Sequence, residues 1–121
     1  MIPVHGGGSC CMYEEILSSI KLKLGIPVEH TEFDKQILSE INATFITLHQ
    51  LGAGPEDGFV VEDNFTLWKD YSTNNMLVSA VKEYVYLKVR LIFDPPASSS
   101  AVDSINNVIK ELEFRINIAL D

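Results

Sequence analysis

Four stretches of this chain repeat their apolar residues at three- and four-residue steps, and each is bounded by glycine or proline. That spacing gathers the apolar side chains of a stretch on one face of a helix, whereas a strand would need strict alternation. In residues 13–24 the face is Tyr13, Ile16, Leu17, Ile20 and Leu24. Glu14 and Glu15 fall in the first turn and Lys21 and Lys23 in the last, the order that complements the helix dipole. Gly25 and then Pro27 end it. Residues 32–51 align Phe33, Ile37, Leu38, Ile41, Phe45, Leu48 and Leu51, with Thr31 as the expected N-cap, Asp34 three residues on, and Gly52 as the stop.

Residues 75–93 carry a wider stripe that includes Leu77, Val81, Tyr84, Val85 and Leu91, while Val89 lies off it. This helix is expected to be buried on more than one side. Asp94-Pro95-Pro96 terminates it, since a residue before proline is pushed out of the helical region, and forms a rigid corner. Residues 99–120 start from a serine cap at 98, 99 or 100. They run a narrow seam through Val102, Ile105, Val108, Ile109, Leu112, Ile116 and Ala119 or Leu120. At 1.5 Å per residue this helix spans roughly 33 Å, long enough for one end to reach past the core.

Between the second and third helices, residues 52–75 are irregular. Gly52, Gly54, Pro55 and Gly58 punctuate them, and Phe59, Val60, Val61, Phe65, Leu67 and Trp68 keep them apolar enough to be ordered. A short hairpin with Asp63-Asn64 at its turn and a packed loop both fit. The expected fold is therefore all-α: a small bundle of three to four helices with one long structured loop or short hairpin between helices 2 and 3. The length of 121 residues accommodates one core. Residues 1–11 show neither periodicity nor charge pattern and are expected to be a flexible leader, with 12–121 as the domain. Purine-rich ribosome-binding sites encode glycines when read in frame, and Gly6-Gly7-Gly8 lies just upstream of Met12, which makes Met12 a second candidate start.

Composition excludes several classes. No apolar run approaches the roughly 20 residues of a membrane span. A net charge of −8 disfavours tight, sequence-independent binding to phosphate backbones, because that affinity comes from cations. Cys10 and Cys11 are neighbours with no spaced second pair for zinc, and His5, His30 and His49 share no helical face at ligand spacing. The sequons at Asn42 and Asn64 follow no secretion signal. The carboxylate pairs Glu14/Glu15, Glu56/Asp57, Glu62/Asp63 and Glu111/Glu113 stand in polar stretches. No phosphate loop, nucleophile elbow or pocket-forming acid–base pair is legible, so neither an enzyme nor a cofactor is expected. The cations Lys82, Lys88, Arg90, Lys110 and Arg115 lie close in sequence to Glu83, Asp94, Glu111 and Glu113, and pairing within the chain is the simpler expectation over nucleic-acid contact.

Three segments carry a resemblance: Gly52-Ala53-Gly54-Pro55 through Gly58-Phe59 with Trp68 downstream; Ala80 through the run Tyr86-Leu87-Lys88-Val89-Arg90-Leu91-Ile92-Phe93-Asp94-Pro95-Pro96; and Glu111-Leu112-Glu113-Phe114-Arg115-Ile116-Asn117. Together they resemble the head-tail connector (adaptor) proteins of long-tailed bacteriophages and prophages of Gram-positive bacteria, over residues 12–121. The family commonly has Trp where Phe114 stands. The resemblance implies a structural virion protein of the neck. It would form a homo-oligomeric ring under the dodecameric portal, extend the DNA channel and dock the next neck or tail-completion protein. DNA would pass without specific binding, and no catalysis, metal or membrane is implied.

On that reading the candidate subunit or portal contacts are Phe59, Val60, Val61, Phe65 and Trp68 of the excursion and Phe114, Arg115 and Ile118 of the last helix. Phe114 lies off the seam and its ring needs another surface. The excursion either makes such contacts or folds over its own core. The candidate channel-facing acids are Glu56, Asp57, Glu62 and Asp63. The alternative is a small helical protein-binding regulatory module acting as a monomer or dimer.

Overall fold

The computed structural model describes residues 13–63 and 65–120, so the expected leader lies outside the described residues. Five helices follow in order: α1 (Ile16–Lys23), α2 (Asp34–Gln50), α3 (Trp68–Tyr71), α4 (Asn75–Phe93) and α5 (Ser99–Leu120). The fold is all-α, and no strand forms among the described residues. The four long periodic stretches are the four long helices. The excursion is a packed loop ending in the single turn α3, not a hairpin.

The helix ends follow local chemistry. At the end of α1, the Gly25 N–H donates to the Leu22 carbonyl and the Ile26 N–H to that of Lys21. At the end of α2, the Gly52 N–H donates to His49 and the Ala53 N–H to Leu48. Both are Schellman closures with glycine in the left-handed position. Asn74 Oδ1 caps α4 by accepting from the Leu77 N–H at 3.2 Å. Ser98 Oγ accepts from the Ala101 N–H at 3.1 Å and caps α5.

Two starts differ from the sequence reading. Helix α1 begins at Ile16, not 13, because the chain before it is used in a bridge: the Ile16 N–H donates to the Thr66 carbonyl, and the Trp68 N–H donates to that of Glu14. Helix α2 begins after Phe33, with no side-chain cap, and Thr31 is not its N-cap.

Helix α4 is the centre of the bundle. Leu77, Val78, Val81, Tyr84, Val85, Leu87 and Val89 are all buried on it, as expected of a helix covered on more than one side. Helices α1, α2 and α3 pack against it, and α5 returns antiparallel along it after the Asp94-Pro95-Pro96 corner. The α5 seam is Ile109, Leu112 and Ile116, with Ile105 half-buried. Val108 and Phe33, assigned above to apolar stripes, are exposed, as is Ile92 near the end of α4. The side chains of Ala119 and Leu120 lie outside the description.

One buried charge organises the α1–α2 connection. Lys21, read above as a last-turn cation complementing the helix dipole, is 2% exposed. Its Nζ donates to the carbonyls of Val28 (2.9 Å) and His30 (2.7 Å) and lies 2.7 Å from Asp34 Oδ1. Two carbonyl hydrogen bonds and the Asp34 ion pair together offset the cost of burying the ammonium.

Candidate functional site

The excursion reaches its place through side chains on the helices. Asn42, on α2, clamps the backbone of Val61 from both sides: its Nδ2 donates to the Val61 carbonyl at 3.0 Å, and its Oδ1 accepts from the Val61 N–H at 2.7 Å. That fixes Val61 inward, fully buried, and turns Val60 outward, 62% exposed. Asp63 Oδ1 accepts from the N–H groups of Phe65 (2.9 Å) and Thr66 (3.1 Å) and from the Thr66 hydroxyl (3.1 Å). This holds the Phe65 ring out in solvent. Asp70 Oδ2 accepts from the Leu67 N–H at 2.9 Å and starts α3.

Trp68 is fully buried. Its Nε1–H donates to Ser19 Oγ at 2.9 Å, and that hydroxyl donates to the Ile16 carbonyl at 2.9 Å. Phe45, Phe59 and Tyr71 form an aromatic cluster beside it, with ring centroids 5.0–5.2 Å apart. Gly54 lies against the Tyr71 ring, where a Cβ would meet Cε1 at 2.6 Å. Burial pushes the Tyr71 hydroxyl up to about 12.

The expected contact residues therefore divide. Val61 and Trp68 are corrections: both are core residues with no surface to offer, one pinned by Asn42 and the other hydrogen-bonded to Ser19. Phe59 is half-buried in the aromatic cluster. Val60, Phe65, Phe114 and Ile118 are exposed, as is Arg115, whose guanidinium pairs with Glu111 one turn earlier. Glu56, Asp57, Glu62 and Asp63 are all exposed. The cations pair partly as expected and partly across the fold: Lys23 reaches Glu83 at 3.0 Å, and Lys82 reaches Glu14. Tyr84 donates its hydroxyl proton to Glu113 Oε2 at 2.8 Å and ties α4 to α5; burial, then this carboxylate, raise its pKa.

Two of the concave surfaces carry exposed apolar residues. An apolar groove of about 390 Å³ runs between α4 and α5, lined by Met76, Ala80, Leu112, Arg115 and Ile118 among others. A depression of about 230 Å³ lies between α2 and the excursion, lined by Phe45, Ile46, His49, Asp57, Phe59 and Val60 together with Gly58. Neither holds a convergent set of titratable groups, and no group of three or more His, Cys, Asp or Glu is placed to hold a metal among the described residues. The sequence reading missed Ile46, which joins Val60 on the α2 side and is 61% exposed. Its place off the Ile37–Ile41–Phe45–Leu48 stripe was the available signal.

The described residues thus form a closed core and leave large apolar side chains exposed on several helices and on the excursion. Residues 16–121 match the family model described as phage connector protein, and the chain belongs to that family. Membership gives it the structural role of a head-tail connector, a virion component that interacts with other phage head and tail proteins. No curated protein and no solved structure matches it. No helix among the described residues is long and apolar enough to cross a membrane.

Proposed function

We propose that residues 12–121 form one subunit of a ring seated under the capsid portal, where the ring extends the DNA channel and docks the next neck or tail-completion protein. The observation that supports this reading beyond family membership is that exposed apolar residues stand on several sides of the subunit, the α5 side and the α2 side among them. Phe114 and Ile118 stand on α5, and Ile46 and Val60 stand around the α2 side. A closed ring needs two different contact surfaces on each subunit, since its contacts are heterologous.

Residues 52–67 carry four carboxylates and no Lys or Arg. Repeated around a passage, exposed acids give a wall along which DNA slides without the cationic contacts that would anchor it. Reversing the charge of Glu56 and Glu62 together, which leaves the Asp63 turn intact, is expected to impair DNA retention or release. Unchanged packaging and infectivity would remove this loop from the lumen.

Light scattering and negative-stain microscopy of the full chain with isolated portal test the assembly. Ring-shaped particles, or portal capped by an added layer, are expected. A strict monomer that never associates with portal refutes the ring and leaves the small protein-binding module as the better reading.

A further inference from the structure

We propose that successive copies of this chain meet by seating the Phe114 ring of one α5 in the depression between α2 and the excursion of the next copy, with Lys110 against Asp57 at its rim. The proposal rests on the ring reading above and names its contact.

The first support is shape and chemistry. The depression holds about 230 Å³, and an apolar cavity of about 150 Å³ already accepts a benzene ring. Phe59 in its wall is half-buried and stands edge to face on the buried Phe45, 5.0 Å away, so a third ring would meet Phe59 with Phe45 as its backing. Gly58 leaves the wall open: a Cβ built there would find only His49 Cδ2, at 3.9 Å.

The second is placement. Leu112 and Ile116 face α4, and Phe114 lies two residues from each, about 200° around the helix, so its ring projects away from the bundle. It is 66% exposed. Helices α2 and α5 each pack chiefly on α4. Ridge and depression therefore belong to different sides of one subunit, as a head-to-tail contact between neighbours requires.

The third is charge. Among the described residues the ion pairs are Lys21–Asp34, Lys23–Glu83, Lys82–Glu14 and Arg115–Glu111. Lys110, one turn before Phe114, joins none of them, and neither does Asp57 on the depression. Seating Phe114 brings these two unpaired charges of opposite sign to the edge of an apolar contact. There they fix register and oppose the repulsion between copies that each carry a net −8.

The test follows assembly of the full chain, alone and with isolated portal, by native mass spectrometry and light scattering. Lys110→Glu is expected to raise the concentration of half-assembly about tenfold, and Asp57→Lys likewise. The double exchange should return it to within about threefold of the original value. Phe114→Ala should raise it about tenfold or more, with far-UV circular dichroism unchanged. With Cys10 and Cys11 changed to Ser, the pair Asn117→Cys and Val60→Cys, which leaves Phe114 in place, should oxidise to a ladder of multimers, and either cysteine alone to dimers at most. If the unaltered chain assembles while none of these changes shifts assembly and no ladder forms, the contact lies elsewhere; this proposal falls and the ring reading stands. If the unaltered chain never assembles, with or without portal, both fall.

Discussion

Replacing Trp68 with Ala separates folding from assembly. The indole is fully buried, and its N–H satisfies Ser19 in the interior. Truncating a buried Trp to Ala costs about 3–5 kcal/mol through lost transfer energy and the cavity left behind. Losing the Ser19 bond adds about 1 kcal/mol. Domains of this size are stable by only about 5–15 kcal/mol, so the variant is expected to be marginal or unfolded at 37 °C. In urea, with a slope of about 1.5 kcal/mol per molar, the midpoint followed at 222 nm should fall by about 3–4 M. Trp68→Phe keeps most of the ring volume and removes the donor. The Ser19 hydroxyl still donates to the Ile16 carbonyl, so the cost should be about 1–2 kcal/mol with the helical spectrum intact. The reasoning is refuted if Trp68→Ala shifts unfolding by less than about 1 kcal/mol and yet abolishes assembly, because a core residue cannot be removed so lightly.

Further expectations follow from other buried contacts. Lys21→Met preserves volume but leaves Asp34 and two carbonyls without their donor, and should cost about 3 kcal/mol in urea unfolding. Gly54→Ala combines a residue at φ +89° with a Cβ driven into Tyr71, and should cost about 2–4 kcal/mol, read as a lower Tm. Tyr84→Phe should cost about 1 kcal/mol, because Glu113 is half-buried and regains water. Burial holds the Tyr71 proton in the folded state, with a pKa raised from 10.0 to about 12. Its contribution is therefore present below pH 10 and is lost as pH rises from 10 towards 12, so the urea midpoint should decline over that window, less steeply in Tyr71→Phe.

The helices were legible because their determinants are local. Gly25 and Gly52 close the helices they follow, and the 100° step between residues places Ile109, Leu112 and Ile116 inside and Phe114 outside without reference to any other element. The excursion was not legible in the same way, since it has no period. Val60 and Val61 are equivalent letters in the sequence, and only Asn42, 19 residues earlier, decides which one turns inward. Trp68 was ambiguous for the same reason: its partner Ser19 is 49 residues away. The missed clue was Ser19 itself, a small hydroxyl three residues after Ile16 and next to Ile20 on the buried face of α1, where an unsatisfied polar group would be costly. Lys21 was harder still, because its hydrogen-bond acceptors are the backbone carbonyls of Val28 and His30, and no side-chain identity announces them.

The same distinction explains why the candidate contact surface was half visible. A residue such as Phe114 is exposed by its own helix, so its position off the seam is sufficient to mark it as unpartnered within the chain. A depression such as that of Phe45, Gly58 and Phe59 exists only once the excursion has been laid across α2 by Asn42 and the aromatic cluster. The protruding half of a head-to-tail contact is thus written in helical periodicity, and the receiving half in tertiary packing. Substitutions on the two halves should accordingly behave differently. Changes at Phe114 and Lys110 should leave stability within about 0.5 kcal/mol, as exposed positions do, while changes at Phe45 or Phe59 should lower stability and assembly together.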